Sequence, residues 1–517
     1  MNARNTGTDN ASMLGGSVPD RPNGPMNTVP SRDASSRRAA RQWRRTMARR
    51  RRTVAIAVIV TILLGSAYVI GDAHDVLPGP LSVHTSQGPT FPAAVAVRQA
   101  KTVTGDSDTG PQIDAAKVKS LVDAFAKSEG VGNDFSVVIA DGNGDPIVQR
   151  AETTPREPAS TMKTMTAYAA STTLDMSSTL DTEVYLDESG EGVRLVLKGN
   201  GDMLLGEGAS DPDHINGRAG LATLVDRTIA ALNKHDVNAV TVAYDDSLFG
   251  SKRFPDTIGA NNPNLIYAAP MASMAIDEAR NWTGVTKPKD PDVESSYPTR
   301  SSTPASDVAK KFAAQLKAKG IKVSGSVSEG TAPDGDAPIA SVSSAHLSEI
   351  MGFMLKNSDN TEAELFGRLT ALKTGKDNSP EGATAAVKAI LAERGIDLTG
   401  VNVADCSGLS QGSKLTVRAL AQVQAKYVES DAEAAPAAEG LAISGLSGTA
   451  LHRTISSSAD GLVRLKTGSL DQVTSMTGNV SRAKGGTLIF SIIVNKPGNM
   501  WSASRAVDKL VSELPEV

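Results

Sequence analysis

The chain has 517 residues, 40% apolar, 21% charged and 4% aromatic, enough for two to four structural units at roughly 150 residues each. One cysteine, Cys406, excludes an intrachain disulfide and a cysteine-rich zinc site, and the six histidines, at 74, 84, 214, 235, 346 and 452, form no H-x-x-x-H pair, which argues against a metal enzyme. The formal charge of -4 averages two unlike parts: residues 1–52 carry twelve Arg and three Asp, and the rest carries 41 basic against 54 acidic residues.

Ten of those arginines lie between Arg32 and Arg52, among Asn, Gly, Ser, Pro and Ala, a composition that cannot bury a core, so residues 1–52 read as a disordered tail. An arginine cluster alone fits a nucleic-acid patch or a solvated tail. The next residues decide. Thr53 to Ile70 contain no charge and as a helix would reach roughly 27 Å, close to the hydrocarbon thickness of a bilayer. Residues 53–70 are expected to be an uncleaved transmembrane helix, with the arginines cytoplasmic, the rest extracytoplasmic, and no nucleic-acid partner. Residues 71–110, rich in Gly, Pro, Ser and Thr, read as a linker from the membrane.

Ordered sequence begins near Ile113, where apolar residues at 113, 118, 121, 122 and 125 predict a helix. Phe135 to Arg150 then reads as two strands about a Gly-Asn-Gly-Asp turn. Residues 183–343 are strand-rich and broken by Gly, Asp and Pro, with a helix at ATLVDRTIAALNKH. Near the end, VRLKTGSL, TSMTGNVS and GTLIFSIIVN predict three strands of an antiparallel sheet, followed by a terminal helix packed on one face with the first.

Three small motifs carry chemistry. Ser160-Thr161-Met162-Lys163 opens a helical run after Pro155 and Pro158, placing Lys163 one turn from Ser160, where an amine can take a proton from a hydroxyl. Ser481 to Lys484 repeats the spacing in a predicted turn, where Lys484 would meet solvent. Ser358-Asp359-Asn360 joins two amphipathic helices; such a loop can project Ser and Asn into a cleft or merely cap a helix. Lys466-Thr467-Gly468 lies on a late strand, where an ammonium, a hydroxyl and a residue without Cβ suit a substrate carboxylate, whereas Lys373-Thr374-Gly375 ends a helix with Gly as its cap. S-x-x-K, S-x-N and K-T-G in that order are the strongest signal in the sequence.

Over residues 111–517 the chain resembles the low-molecular-mass penicillin-binding proteins of the D-alanyl-D-alanine carboxypeptidase/endopeptidase type. Further matches are Pro158-Ala159-Ser160-Thr161 with Thr166-Ala167, Leu197-Lys198-Gly199-Asn200-Gly201-Asp202, Asp245-Asp246-Ser247-x-Phe249, Asp405 to Ser410 and Gly445 to Thr449. Ser160 and Ser358 are 198 residues apart, which matches the family's large insert. Departures are Met203 where the family has Pro, Cys406 where it has Gly, and Ala450 where Leu is common. Cys406 reads as a packed small residue rather than a reactive thiol.

The resemblance implies an α/β (α+β) fold like that of the penicillin-binding proteins and serine β-lactamases. In it an antiparallel sheet flanked by helices (111–182 and 344–517) is interrupted by a strand-rich insert (183–343). It implies that Ser160 attacks the carbonyl between two D-alanines, Lys163 takes its proton, and Ser358 with Lys466 returns one to the leaving amine. Asn360, Thr467, Gly468 and Ser469 would bind substrate, with the N–H groups of Ser160 and Ser469 as oxyanion hole. No cofactor is implied; the partners are peptidoglycan stem peptides and acylating β-lactams. A serine β-lactamase is the enzymatic alternative, disfavoured because no convincing E-x-x-L-N loop separates the first two motifs. A non-catalytic wall-associated protein is the other, and it would be favoured only if Ser160 or Lys163 were missing.

Overall fold

The computed structural model describes residues 60–61, 64–69, 112–190, 192–293, 296–429 and 433–517. The arginine tail, the linker at 71–110 and most of the apolar run at 53–70 lie outside them. Residues 60–61 and 64–69 are helical, and among the described residues no helix is long and apolar enough to cross a membrane.

The first helix, α1 (Ala115–Ala126), starts at Asp114, whose carboxylate accepts from the Lys117 N–H at 2.9 Å and caps it. Strands β1 (Phe135–Asp141) and β2 (Pro146–Arg150) form the expected hairpin. The chain then leaves this sheet and returns late with β11 (Ala442–Ile443), β12 (Val463–Leu470), β13 (Val473–Ser481) and β14 (Thr487–Asn495). The resulting six-stranded sheet is antiparallel, in the order β11-β12-β13-β14-β1-β2.

Its central strands are apolar on both sides, and the period of two sorts their residues between two cores. Val137, Ile139, Leu488, Phe490, Ile492 and Val494 face α1 and the C-terminal helix α10 (Met500–Glu513). Val138, Ala140, Ile489 and Ile493 face the other layer. That layer contains α2 (Met162–Ser171) and α8 (Val417–Val428). All ten residues of α2 are buried, so this helix has no solvent face and its polar side chains must find protein partners.

A second sheet is built from residues 181–343: β3 (Asp181–Asp187), β4 (Arg194–Gly199), β6 (Ala239–Asp245), β8 (Lys322–Val323), β9 (Ser328–Glu329) and β10 (Ala340–Ser343). Its order is β10-β3-β4-β6-β8, with β9 also on β6. The sheet is mixed, because β6 runs parallel to β4, β8 and β9. Such pairings need crossovers, which α3 (Leu221–Lys234) and α4 (Pro304–Ala318) supply. The first is the expected helix; the second, with Val308, Phe312 and Leu316 buried at helical spacing, is additional. Within the crossover connections, β5 (Asp202–Leu205), ahead of α3, pairs in parallel with β7 (Met274–Ile276), ahead of α4. First and last strands pair at Ala340↔Val184, so the segment leaves and rejoins the chain at one place. There α5 (Leu347–Asn357) and α6 (Asn360–Lys373) follow, then α7 (Pro380–Glu393).

Candidate active site

Ser160 lies in a single 3-10 turn, Ala159–Thr161, immediately before α2. Ala159 adopts φ +49, a conformation disfavoured for an L residue, and the turn is fastened from outside. Ser475 Oγ on β13 donates to Pro158 O at 2.6 Å, and Thr161 Oγ1 donates to the same carbonyl at 2.8 Å. Lys163, one turn on and wholly buried, places Nζ 2.9 Å from Ser160 Oγ. The same amine donates to Asn360 Oδ1 at 2.7 Å and to Ser407 O at 2.8 Å.

The loop bearing Ser407 is organised by Asp405. Its buried carboxylate accepts from Ser407 Oγ at 2.6 Å, from the N–H groups of Gly408, Leu409 and Ser410 at 2.8–2.9 Å, and from Ser413 Oγ at 3.2 Å. Gly408, at φ +81, packs so closely that a Cβ would lie 2.0 Å from Ala159 O. Cys406 is buried beside α6, and its thiol is pushed up by burial and then by the charges of Glu364 and Asp405, in keeping with a packing role.

Between α5 and α6, the cap of the second helix is Asp359, whose side chain accepts from the Glu362 N–H at 2.9 Å. Ser358 is thereby free of the capping role. It ends α5 in the left-handed region at φ +61, and its hydroxyl accepts from Lys466 Nζ at 2.7 Å. Asn360 is held at both ends of its amide: Oδ1 by Lys163, and Nδ2 by donation to Tyr267 O at 3.0 Å. One amide hydrogen remains for a substrate carbonyl.

Lys466 and Gly468 are buried on β12. Strand β11 pairs only with Leu465 and Arg464, so the edge of β12 from Lys466 onward is open on that side among the described residues. A Cβ on Gly468 would meet Ser475 Oγ at 2.2 Å, Pro158 O at 2.9 Å and Ser160 N at 3.1 Å, so the strand passes directly against the nucleophile turn. Thr467 Oγ1 donates to Thr449 Oγ1 at 2.9 Å, and Ser469 is exposed. Burial, and next the charge of Lys163, hold the Lys466 ammonium well below the usual lysine range. Two ammoniums in one enclosure repel, so the pair is a ready proton acceptor.

Hydrogen bonds and close approach bring together Ser160, Lys163, Ser358, Asn360, Lys466 and Gly468, with Thr467 and Ser469 beside them on β12, whereas Lys484 and the Lys373 to Gly375 copy are exposed elsewhere. Three participants were not foreseen. The carbonyls of Tyr267 and Ser407 leave no letter in a sequence, because every residue has one. Thr449 lies inside the Gly445 to Thr449 match, where its hydroxyl was the available signal.

The fold and these two lysine–serine pairs define a serine acyl-transferase of the penicillin-recognising class. The chain belongs to the D-Ala-D-Ala carboxypeptidase 3 (S13) family, whose model matches residues 118–298 and 293–514, and it is a serine-type carboxypeptidase of that family. It is 30% identical over 417 residues to a carboxypeptidase of Mycobacterium tuberculosis, covering 79% of this chain and 86% of that one. It is 32% identical over 378 residues to carboxypeptidase DacB of Mycolicibacterium smegmatis, covering 72% and 78%. Among solved structures, penicillin-binding protein 4 of Haemophilus influenzae superposes with a TM-score of 0.62 at 20% identity, over 78% of this chain and 100% of that one, a likeness of fold.

Two outcomes are expected. Gly468→Ala lowers the second-order rate of acylation by a labelled penicillin at least ~10-fold, since the added methyl must separate β12 from Ser160. An unchanged rate would show that the close approach is dispensable. Burial raises Asp202 to about 7, Glu278 to about 8 and Glu364 to about 8, against 3.8 and 4.5 for free side chains. The folded chain therefore keeps protons the unfolded chain releases near 4, and this stabilisation is complete below that pH and lost as pH rises through 7 to 8. Asp187, held down at about 2 by hydrogen bonds from Ser189 and then Arg194, acts oppositely, and only in acid. Melting temperature should fall from about pH 4 to about pH 8 and level off above that in scanning calorimetry, and a flat profile over that range would contradict the assignment.

Proposed function

We propose that the chain is a membrane-anchored enzyme of the wall compartment that cleaves the terminal D-Ala-D-Ala bond of peptidoglycan stem peptides through an acyl-enzyme on Ser160. The observation that carries the reading is the placement of Lys163 Nζ between Ser160 Oγ, Asn360 Oδ1 and Ser407 O. With two fixed carbonyl acceptors taking its N–H groups, a neutral amine there turns its lone pair to the serine hydroxyl.

In this reading Ser160 Oγ attacks the carbonyl carbon as its proton passes to Lys163, and the developing oxyanion is met by the N–H groups of Ser160 and Ser469. The C–N bond then breaks, and the D-alanine amine leaves with a proton relayed through Ser358, whose hydroxyl is bonded to Lys466. Thr467 and Lys466 hold the terminal carboxylate, and Asn360 the preceding amide. Water hydrolyses the ester, returning Ser160. A cross-linked peptide presenting the same bond would be opened by the same steps, as an endopeptidase. A β-lactam enters identically, but its ring opens without releasing a leaving group, so the ester persists.

The anchor rests on sequence: an uncharged run from Thr53 to Ile70 follows four consecutive arginines, Arg49 to Arg52. Labelled penicillin should mark the full chain, and Ser160→Ala should abolish both marking and D-alanine release from a pentapeptide. Label retained by that variant would refute the nucleophile. In cells the chain should sediment with membranes and resist alkaline extraction, with its C-terminus open to external protease; recovery in the soluble fraction would refute the anchor.

A further inference from the structure

Behind the Ser358-Asp359-Asn360 loop lies a turn that takes no part in the chemistry. Asp277, Glu278 and Ala279 have φ of 48, 49 and 58, three successive left-handed residues, none of them glycine. L residues reach that region singly and reluctantly, so a run of three needs strong tethers. The tethers are buried ion pairs. Asp277 Oδ1 accepts from Asn216 Nδ2 at 2.7 Å and from Arg280 Nη1 at 3.1 Å, and Oδ2 accepts from Trp282 Nε1 at 2.6 Å and pairs with Lys287 at 3.2 Å.

The turn aims Glu278, with no exposed surface, at the start of α6. Glu278 Oε2 pairs with Arg280 and Arg300 at 3.1 Å and accepts from Thr361 Oγ1 at 3.1 Å, while the Thr361 hydroxyl accepts from the Ala269 N–H at 3.1 Å. Arg280 Nη2 lies 3.3 Å from Asp359 Oδ2. Glu278 thus grips both neighbours of Asn360: Thr361 directly, and Asp359 through Arg280.

We propose that Glu278 is a positioning residue for acylation, holding Asp359 and Thr361 so that Ser358 meets Lys466 and Asn360 meets Lys163. This rests on the reading that Ser358 and Asn360 serve the acylation of Ser160.

The charges around Glu278 say in which form it does so. Around it are Asp277 and Arg280 from its own turn, Arg300, Asp359 at the cap of α6 and Glu362 within that helix, and Glu362 in turn faces Asp202 from β5. Setting aside Asp277, which Lys287 neutralises, four carboxyls face two guanidiniums. Among the described residues, Glu278 Oε1, Asp202 Oδ2 and both oxygens of Glu362 are buried without a hydrogen-bond partner. A site with surplus buried carboxylates takes up protons. Glu278 and Asp359 share the Arg280 guanidinium, at 3.1 and 3.3 Å, so a proton on one of the two carboxyls relieves their repulsion. Burial, with the Asp359 charge added, pushes Glu278 up to about 8, so the working form is the neutral acid and it is lost in alkali.

The test is the rate of acylation of the full chain by a fluorescent penicillin from about pH 6 to pH 10, with melting temperature recorded for each variant. Glu278→Gln keeps an oxygen acceptor for the arginines and Thr361, without a proton to lose. It should acylate within ~3-fold of the parent at pH 7 and extend the fast range at least one unit further into alkali; Glu278→Ala should be slower at least ~10-fold at pH 7. A Gln variant with the parent's alkaline decline, or as slow as the Ala variant, overturns the proposal, as does an Ala variant at the parental rate. If the Ala variant does not fold, the Gln profile alone decides. Ser358→Ala separates the two readings: parental acylation there refutes the role of the loop itself, whatever Glu278 does.

Discussion

A buried lysine amine must be met by acceptors, and Lys163 finds them in segments that lie far apart in the chain. Ser160 is 3 residues away, Asn360 197 and the Ser407 carbonyl 244. Much of the architecture follows from that requirement. Helix α2 is enclosed on every side, so its amine has no recourse to water. Asp405, itself buried, spends its carboxylate on turning the loop 405–410 so that a main-chain carbonyl points inward. Removing any one of these partners leaves a charge or a donor unmet in a low dielectric, which is more costly than the loss of a single bond.

The second amine extends the constraint. Lys466 is also fully buried and lies close enough to Lys163 for its ammonium to be disfavoured. Its position is set by β12, whose approach to the nucleophile turn leaves no room for a Cβ at Gly468. Two amines, each bonded to a serine hydroxyl, allow one proton to arrive on one side of a scissile bond and another to leave on the other. Rigid elements hold both: a six-stranded sheet with apolar residues on two faces, and a helix buried between it and the second layer.

Secondary structure was largely legible because burial on one or two faces imposes a period. The hairpin at 135–150, the three late strands and the terminal helix are where alternation and helical spacing placed them. The helix at 304–318 is masked in the sequence by the Gly, Pro and Asp around it, although Val308, Phe312 and Leu316 carry its spacing. Parallel pairing of β4 with β6 left no local mark: it depends on a crossover whose direction the residues of either strand do not encode.

For the site, identity and order were in the sequence. Ser160, Lys163, Ser358, Asn360, Lys466 and Thr467 were legible because hydroxyls, amines and amides are chosen for chemistry, and their false copies betrayed themselves by context. Tertiary structure alone decided which oxygens meet which amine, because some of those oxygens, Ser407 O on Lys163 and Thr467 O on Lys466, belong to the main chain and have no letter. It alone decided that Asp359 rather than Ser358 caps α6, since either residue type can cap a helix. And it alone placed Glu278 behind the loop, on a turn whose left-handed backbone is disfavoured locally and is held by hydrogen bonds and ion pairs, some of them to residues as far along the chain as Asn216 and Arg300.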